Sequence, residues 1–252
     1  MSFEKIYIIG KGRVAKVCAK IATQFFSQQV FEITEQDTKE LDRFFSQIKN
    51  ALIISANNFY IFKKECVKNN QIINYHNSLL PKHRGLNAHI WSIFKNDKKS
   101  GITWHKVEES IDTGDILIQK EILLDENISG INLLRKQHEL AIESFEEGLS
   151  NLISNQSIPQ KCALNEAVLG GGVFNRKLPN NGYLKLSWNA PKIHRFLRAM
   201  EGKRKAKIKL LGGEFEILFY ECDVNCIHLV LNQQINLNIK RSKNANHQTT
   251  FH

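Results

Sequence analysis

Asn74 and His76 stand two positions apart at the end of the apolar run QIINYH and lead directly into Ser78-Leu79-Leu80-Pro81. Alternate residues of a strand share a face, so the amide and the imidazole point the same way. If the strand ends at the carboxyl edge of a parallel sheet, that face opens on the crevice where such sheets hold ligands. Pro81 and Gly85 then turn the chain away. Farther on, EESIDTGDIL places Asp112 just before Thr113-Gly114, on a loop that can return to the same edge. An amide, an imidazole and a carboxylate at one crevice suit acyl transfer to an amine. The first two can donate to the oxygen that becomes negative in a tetrahedral intermediate, and the carboxylate can take a proton from the attacking nitrogen, directly or through water. Taken singly, Asn74 reads as a strand-end cap, His76 as a satisfied half-buried imidazole and Asp112 as the opening of an Asp-Thr-Gly turn. Only their ordered combination argues for chemistry.

A second candidate is IIGKGRVAK, where Gly10, Gly12 and Ala15 fit a G-x-G-x-x-A turn after the first strand. Such a turn lets backbone amides and a helix N-terminus approach a phosphate. It reads either as a nicotinamide site, whose ribose would need Glu32 or Glu35, or as a tight turn touching the phosphate of another ligand. Metal chemistry is not expected. Cys222, Cys226 and His228 fall short of four zinc ligands, and His83, His89 and His105 have no clustered partners, although His105 on GITWHKV can face the crevice. Trp91 and Trp104 read as core.

These residues need a scaffold, and the first half of the chain alternates strand and helix. Strands are predicted at KIYIIG, QVFEI, ALIIS and QIINYH, with helices at 13–28, 36–49 and 58–69 between them. That alternation predicts an α/β fold with a doubly wound, mostly parallel sheet. GITWHKV and DILIQKEI are two further strands. One long helix from Ser129 carries Ile131, Leu134, Ala141, Phe145, Leu149 and Leu152 on one apolar stripe. After Ser154 the texture changes to glycine- and asparagine-rich chain, a short basic helix at 191–201 and short strands over 205–239 with an LGGE turn. This reads as a small C-terminal antiparallel appendage, with domains at 1–175 and 176–252 and a frayed polar end, SKNANHQTTFH.

The chain of 252 residues is 42% hydrophobic, enough for one substantial core. It shows no apolar run of membrane-spanning length and no secretory start, so a soluble, cytoplasmic protein is expected. Five scattered cysteines argue against a disulfide framework. The net charge of +10 is concentrated: between Ser157 and Gly212, twelve Lys or Arg face two Glu, and 12 − 2 = 10. Such a belt attracts phosphate, on a small molecule or on RNA, or serves simply as a solvated face. Aromatic residues are thinly interleaved with it, which disfavours nucleic acid.

NYHNSLLPKHRGLNAHIWSI and SGITWHKVEESIDTGDIL, with the preceding strand–helix pattern, resemble the folate-dependent formyltransferases over about residues 1–154. The resemblance implies a Rossmann-like fold and 10-formyltetrahydrofolate as formyl donor. Carried over, it makes Asn74 the group that polarises the formyl carbonyl, His76 the stabiliser of the oxyanion and Asp112 the base, with Ser78 fixing the turn. It implies a pteridine slot at Phe59, Tyr60 and Ile61, at Leu79, and at Val107 through Ile111. Acceptor contacts are expected from Lys11, Gly12, Lys82 and Asn87. GLNAHIW, GITWH and RKLPNNGYLKLSW look more like enzymes that formylate nucleotide-linked amino sugars, or amino acid, siderophore or peptide-type amines, than like methionyl-tRNA formyltransferases. Formyltetrahydrofolate hydrolysis would use the same three residues. A phosphate-bearing small-molecule amine is the expected partner, and a homodimer is compatible with the sequence.

Overall fold

The computed structural model describes residues 3–160, 177–202, 204–222, 226–232, 235–240 and 248–251. Its contacts divide the chain into two compact units. The first holds Met1–Ala88, Lys99–Leu123 and a stretch beginning at Arg135; the second holds His89–Lys98, Leu124–Leu134 and the chain from Asn175. The expected boundary at 175/176 lies outside the described residues.

The first unit runs β1 (Lys5–Gly10), α1 (Gly12–Phe26), β2 (Val30–Ile33), α2 (Thr38–Ser46), β3 (Ala51–Ala56), α3 (Lys64–Asn69) and β4 (Gln71–His76). After α4 (Ala88–Phe94), which beyond Ala88 belongs to the second unit, come β5 (Lys99–Lys106), β6 (Ile116–Leu123), α5 (Gly130–Glu143), which enters the first unit at Arg135, and α6 (Phe145–Ile153). The six strands lie in the order β2-β1-β3-β4-β5-β6. The first four are parallel, and β5 runs antiparallel to both β4 and β6. Helices cover both faces, which is why ALIISA is buried at every position. The alternation along β1 sorts the core. Ile6 and Ile8 pack with Leu52, Ile54, Trp104 and the buried faces of α1 and α6. Tyr7 and Ile9 pack on the other side with Ile53, Leu41 and Phe45.

Three expectations need correction. The helix predicted over 58–69 begins only at Lys64, because Asn58 Oδ1 accepts from the Tyr60 N–H at 3.1 Å and its Nδ2 donates to the Tyr60 carbonyl at 3.3 Å. A side chain bonded to its own backbone in this way competes with helix formation. The helix predicted over 36–49 is trimmed to Thr38–Ser46, capped by Asp37, whose carboxylate accepts from the Lys39 and Glu40 N–H groups. The long helix from Ser129 is two helices meeting at Ser144, whose hydroxyl donates back to the Leu140 carbonyl at 2.7 Å. The apolar stripe crosses the break undisturbed, with Ala141, Phe145, Leu149 and Leu152 all fully buried.

In the second unit, α7 (Ala190–Ala199) is capped by Asn189, which accepts from the Lys192 N–H. β7 (Lys207–Leu210), β8 (Gly213–Cys222), β9 (Cys226–Leu231), β10 (Asn236–Lys240) and β11 (Gln248–Phe251) form an antiparallel sheet in the order β11-β10-β9-β8-β7. The β7–β8 hairpin closes on Leu211 and Gly212, both at positive φ, the tight turn anticipated at LGGE. The end of the chain is not wholly frayed: Gln248–Phe251 pairs with β10. Backbone pairing to an open strand edge needs no apolar periodicity, so the polar sequence hid it. Phe94, Trp188 and Phe196 meet in this unit at tilted and edge-to-face angles, with the Lys192 ammonium 4.8 Å from the Trp188 ring centre.

Among the described residues, no helix is long and apolar enough to cross a membrane, and no group of three His, Cys, Asp or Glu is arranged to hold a metal ion.

Candidate active site

β4 occupies an interior position in the first unit's sheet, so the ends of its neighbours flank its last residues. Pairing sets Ser55 of β3 and His105 of β5 on either side of Asn74. The three side chains form a hydrogen-bonded row. The Ser55 hydroxyl donates to Asn74 Oδ1 at 2.7 Å, and Asn74 Nδ2 donates to His105 Nε2 at 3.2 Å. His105 Nδ1 donates to the Lys106 carbonyl at 2.7 Å, which leaves the Nε2 lone pair to accept from Asn74.

His76, two residues along, shares the face of Asn74. Its Nε2 donates to the His83 carbonyl at 2.9 Å, so Nδ1 is turned toward Asp112, 3.4 Å from Oδ2. The other carboxylate oxygen, Oδ1, is 3.5 Å from His105 Nε2. The Gly85 N–H completes the shell by donating to Oδ2 at 2.7 Å. Asp112 reaches this position from a left-handed backbone, φ 54°, and Gly85 adopts φ 86°. The Ser-Leu-Leu-Pro turn is held from β5 and β6. Thr103 Oγ1 donates to the Ser78 carbonyl and accepts from the Leu80 N–H, Gln119 Nε2 donates to the Leu80 carbonyl, and the Ser78 hydroxyl donates to the Lys82 carbonyl.

Both partners of the pair are almost wholly enclosed, with side-chain exposures of 6% for His76 and 11% for Asp112. Burial alone would raise the Asp112 carboxyl, but His76, His105 and the Gly85 N–H outweigh it and hold the group well below the usual carboxylate range. Burial drives the His76 imidazole below its ordinary value, against the pull of the Asp112 carboxylate. His76 Nδ1 and the ionised Asp112 carboxylate thus face each other across the place of a single proton. The carboxylate, with His76 Nδ1 on one oxygen and His105 Nε2 near the other, is placed to receive or relay one proton.

The sequence-predicted site residues divide into groups. Asn74, His76 and Asp112 converge. Tyr60 and Val107 pack half-buried against the same apolar cluster, and the Tyr60 hydroxyl donates to Asp42 at 2.8 Å. Phe59 and Ile61, both about 60% exposed, and Ile111 present apolar surface outward. The Lys64–Glu109 ion pair, 2.7 Å, ties the start of α3 to the 107–111 loop. Leu79 is half-buried and lies over Gly101, where any Cβ would meet it. Lys82 is exposed, and the Asn87 amide nitrogen is buried with φ 66° at that residue. Lys11 exchanges two hydrogen bonds with Asn57 across the ends of β1 and β3, beside Gly12 at φ 72°. Glu35 is occupied by the N–H groups of Gln36 and Asp37, and Glu32 lies on the edge strand β2.

Sequence reasoning did not assign Ser55 or the Gly85 N–H to the site, and it set His105 aside. The signal for Ser55 and His105 is cross-strand register, which a single strand's pattern does not carry.

A sequence profile described as Formyl transferase matches residues 10–148, more than half of the chain. The chain belongs to the formyl transferase family. Among curated members, this formyl transferase is 34% identical over 128 residues to the GDP-perosamine N-formyltransferase of Brucella melitensis, covering 51% of this chain and 47% of that one. It is also 34% identical over 128 residues to the methionyl-tRNA formyltransferase of Clostridioides difficile, covering 51% and 40%. The chain thus spans about half the length of the curated relatives it matches. Among solved structures, the N-formyltransferase from Helicobacter canadensis in complex with folinic acid and dTDP-3-aminofucose superposes with a TM-score of 0.65 at 17% identity, covering 94% of this chain and 99% of that one. A 4-N formyltransferase from Francisella tularensis gives 0.68 at 18% identity, covering 87% and 98%. These likenesses agree with the doubly wound sheet that the alternation of strands and helices predicted and with the Rossmann-like fold that the resemblance implied.

Proposed function

We propose that this formyl transferase moves the formyl group of 10-formyltetrahydrofolate to a primary amine carried by a nucleotide-linked sugar. The observation that carries the chemistry is the convergence of Asn74, His76 and Asp112 at the end of β4, with His105 as a fourth member. One N–H of the Asn74 amide is used by His105; the other is available to the formyl oxygen. The amine attacks the formyl carbon, and the proton it sheds passes to His76 Nδ1, where the adjacent carboxylate stabilises the imidazolium. The Nδ1–H so formed is held by Asp112, and the positive charge of the ring stabilises the oxyanion beside it. Collapse breaks the bond from the formyl carbon to N10 of the folate, and the same proton leaves with that nitrogen.

The apolar outward surface of Phe59, Ile61 and Ile111 supports a slot for the flat donor, read along its edges by backbone groups. The amino-sugar acceptor is supported by the Brucella relative and by the basic residues around α7 and β7, which suit a diphosphate. Lys161, Arg176 and Lys203 of that belt lie outside the described residues. A second reading, formylation of methionyl-tRNA, has support from the Clostridioides relative.

The test is incubation with 10-formyltetrahydrofolate and a panel of amino-sugar nucleotides, amino acids and methionyl-tRNA, with products read by mass. A formylated sugar nucleotide is the expected product. Deformylation undiminished when every amine is omitted would replace transfer by hydrolysis, and formylation of the tRNA alone would replace the acceptor.

A further inference from the structure

We infer that Gln160 is a positioning residue for this reaction, clamping the backbone of the Asp112 loop so that the carboxylate stays aimed at His76 and His105. The inference rests on the proposed transfer only for its rate consequences, because the clamp itself is a matter of geometry. Gln160 Nε2 donates to the Asp112 carbonyl at 3.2 Å and to the Gly114 carbonyl at 2.7 Å. Its Oε1 accepts from Arg84 Nη2 at 3.1 Å, and Arg84 Nε donates to the same Asp112 carbonyl at 3.1 Å. The next residue, Gly85, holds the Asp112 carboxylate through its N–H. Asp112 is therefore gripped at both ends, by Gln160 and Arg84 on its carbonyl and by Gly85 on its side chain.

The grip has work to do at this position. A left-handed backbone is unfavourable for a residue with a Cβ and persists only when its surroundings over-determine it. Neither Asp112 nor its neighbours sink an apolar side chain into the core here: Glu108, Glu109, Ser110 and Ile111 are exposed. Polar contacts hold it instead: the bonds to its carbonyls, the Gly85 N–H on the Asp112 carboxylate and the exposed Lys64–Glu109 ion pair. Gln160 is itself delivered by an extended strap laid along β6. Ile158 exchanges two 2.8 Å backbone bonds with Ile116, and the Ser157 hydroxyl donates to Asp115 at 3.0 Å while accepting from Lys106 Nζ at 2.9 Å. The strap residues bury little apolar surface, since Ile158 is 68% exposed. Their contribution falls on the loop and hardly at all on the core.

The test uses the full chain as Gln160→Ala, Gln160→Glu and Ile158→Ala. Gln160→Glu keeps an acceptor for Arg84 and loses both donated bonds, so it isolates the clamp from the Arg84 contact. Two readouts are taken: the titration of the Asp112 carboxyl by ¹³C NMR, assigned with Asp112→Asn, and steady-state formyl transfer. In both Gln160 variants the Asp112 carboxyl is expected to titrate at higher pH than in the native protein. Turnover is expected to fall by about 10- to 100-fold with KM for the formyl donor unchanged, the scale for a small misplacement of a reacting group. Ile158→Ala, on the same strap but with a side chain 68% exposed and its two bonds to Ile116 made by backbone, leaves both readouts at native values. A native carboxyl titration in Gln160→Glu, or a shifted titration with native turnover, overturns the inference. The NMR arm needs no turnover, so an inert native protein would count against formyl transfer and leave the clamp to be judged on the titration.

Discussion

His76 Nδ1 faces Asp112 Oδ2 across 3.4 Å in an almost fully enclosed pocket, while the opposite ring nitrogen is spent on the His83 carbonyl. A ring nitrogen and an ionised carboxylate at that separation can share one proton. This is the arrangement that an attacking amine requires of its base.

Removing any member should abolish turnover without unfolding the chain. Asn74→Ala, His76→Ala and Asp112→Asn are each expected to lose at least ~10²-fold in formyl transfer. For Asp112→Asn the loss should persist at high pH, since an amide gains no basicity there. Near-native turnover in any one variant would remove that residue from its role.

The pair also sets the response to acid. The folded pKa of His76 lies below its ordinary value of 6.5, so between the two values the unfolded chain binds the extra proton and stability falls as pH drops. Asp112 acts in the same direction farther down, because its stabilisation is present above 3.8 and is lost as pH falls through the depressed folded value. Thermal melts should therefore show a falling midpoint between about pH 7.5 and about pH 5.5, with the slope reduced in His76→Gln. An identical slope in that variant would show that other groups carry the effect.

The donor slot can be probed without touching the core. Phe59 is 60% exposed, so Phe59→Ser costs little packing. Loss of an aromatic wall should weaken binding of the formyl donor by about 10-fold or more, from burial of roughly 1.5–3 kcal/mol of apolar surface on the ligand side. Calorimetry with a stable folate analogue reads this directly. Equal affinity in the variant would take Phe59 out of the slot.

Gly10 makes a different demand. A Cβ there would stand 1.8 Å from the Ala56 carbonyl oxygen, where β1 and β3 end side by side. Gly10→Ala must push two strands apart, at a cost of about 1–3 kcal/mol. A lowered denaturation midpoint is expected, and an unchanged one would mean that the turn yields freely.

The sequence by itself determined the alternation of strands and helices, the shared face of Asn74 and His76 and the turn that carries Asp112. These are local matters, written in the period of the apolar residues and in turn-forming Pro and Gly. It misjudged the segment at 58–63, where one asparagine bonded to its own backbone outweighs helical spacing, and the polar end, where pairing depends on a neighbouring strand edge. Tertiary structure alone decided that Ser55 and His105 flank Asn74, that Gly85 meets the Asp112 carboxylate, and that a glutamine at 160 reaches back to position 112. Each of those contacts joins residues from 19 to 48 positions apart. Which distant groups meet is set by strand order and register, and no local pattern in the chain encodes them.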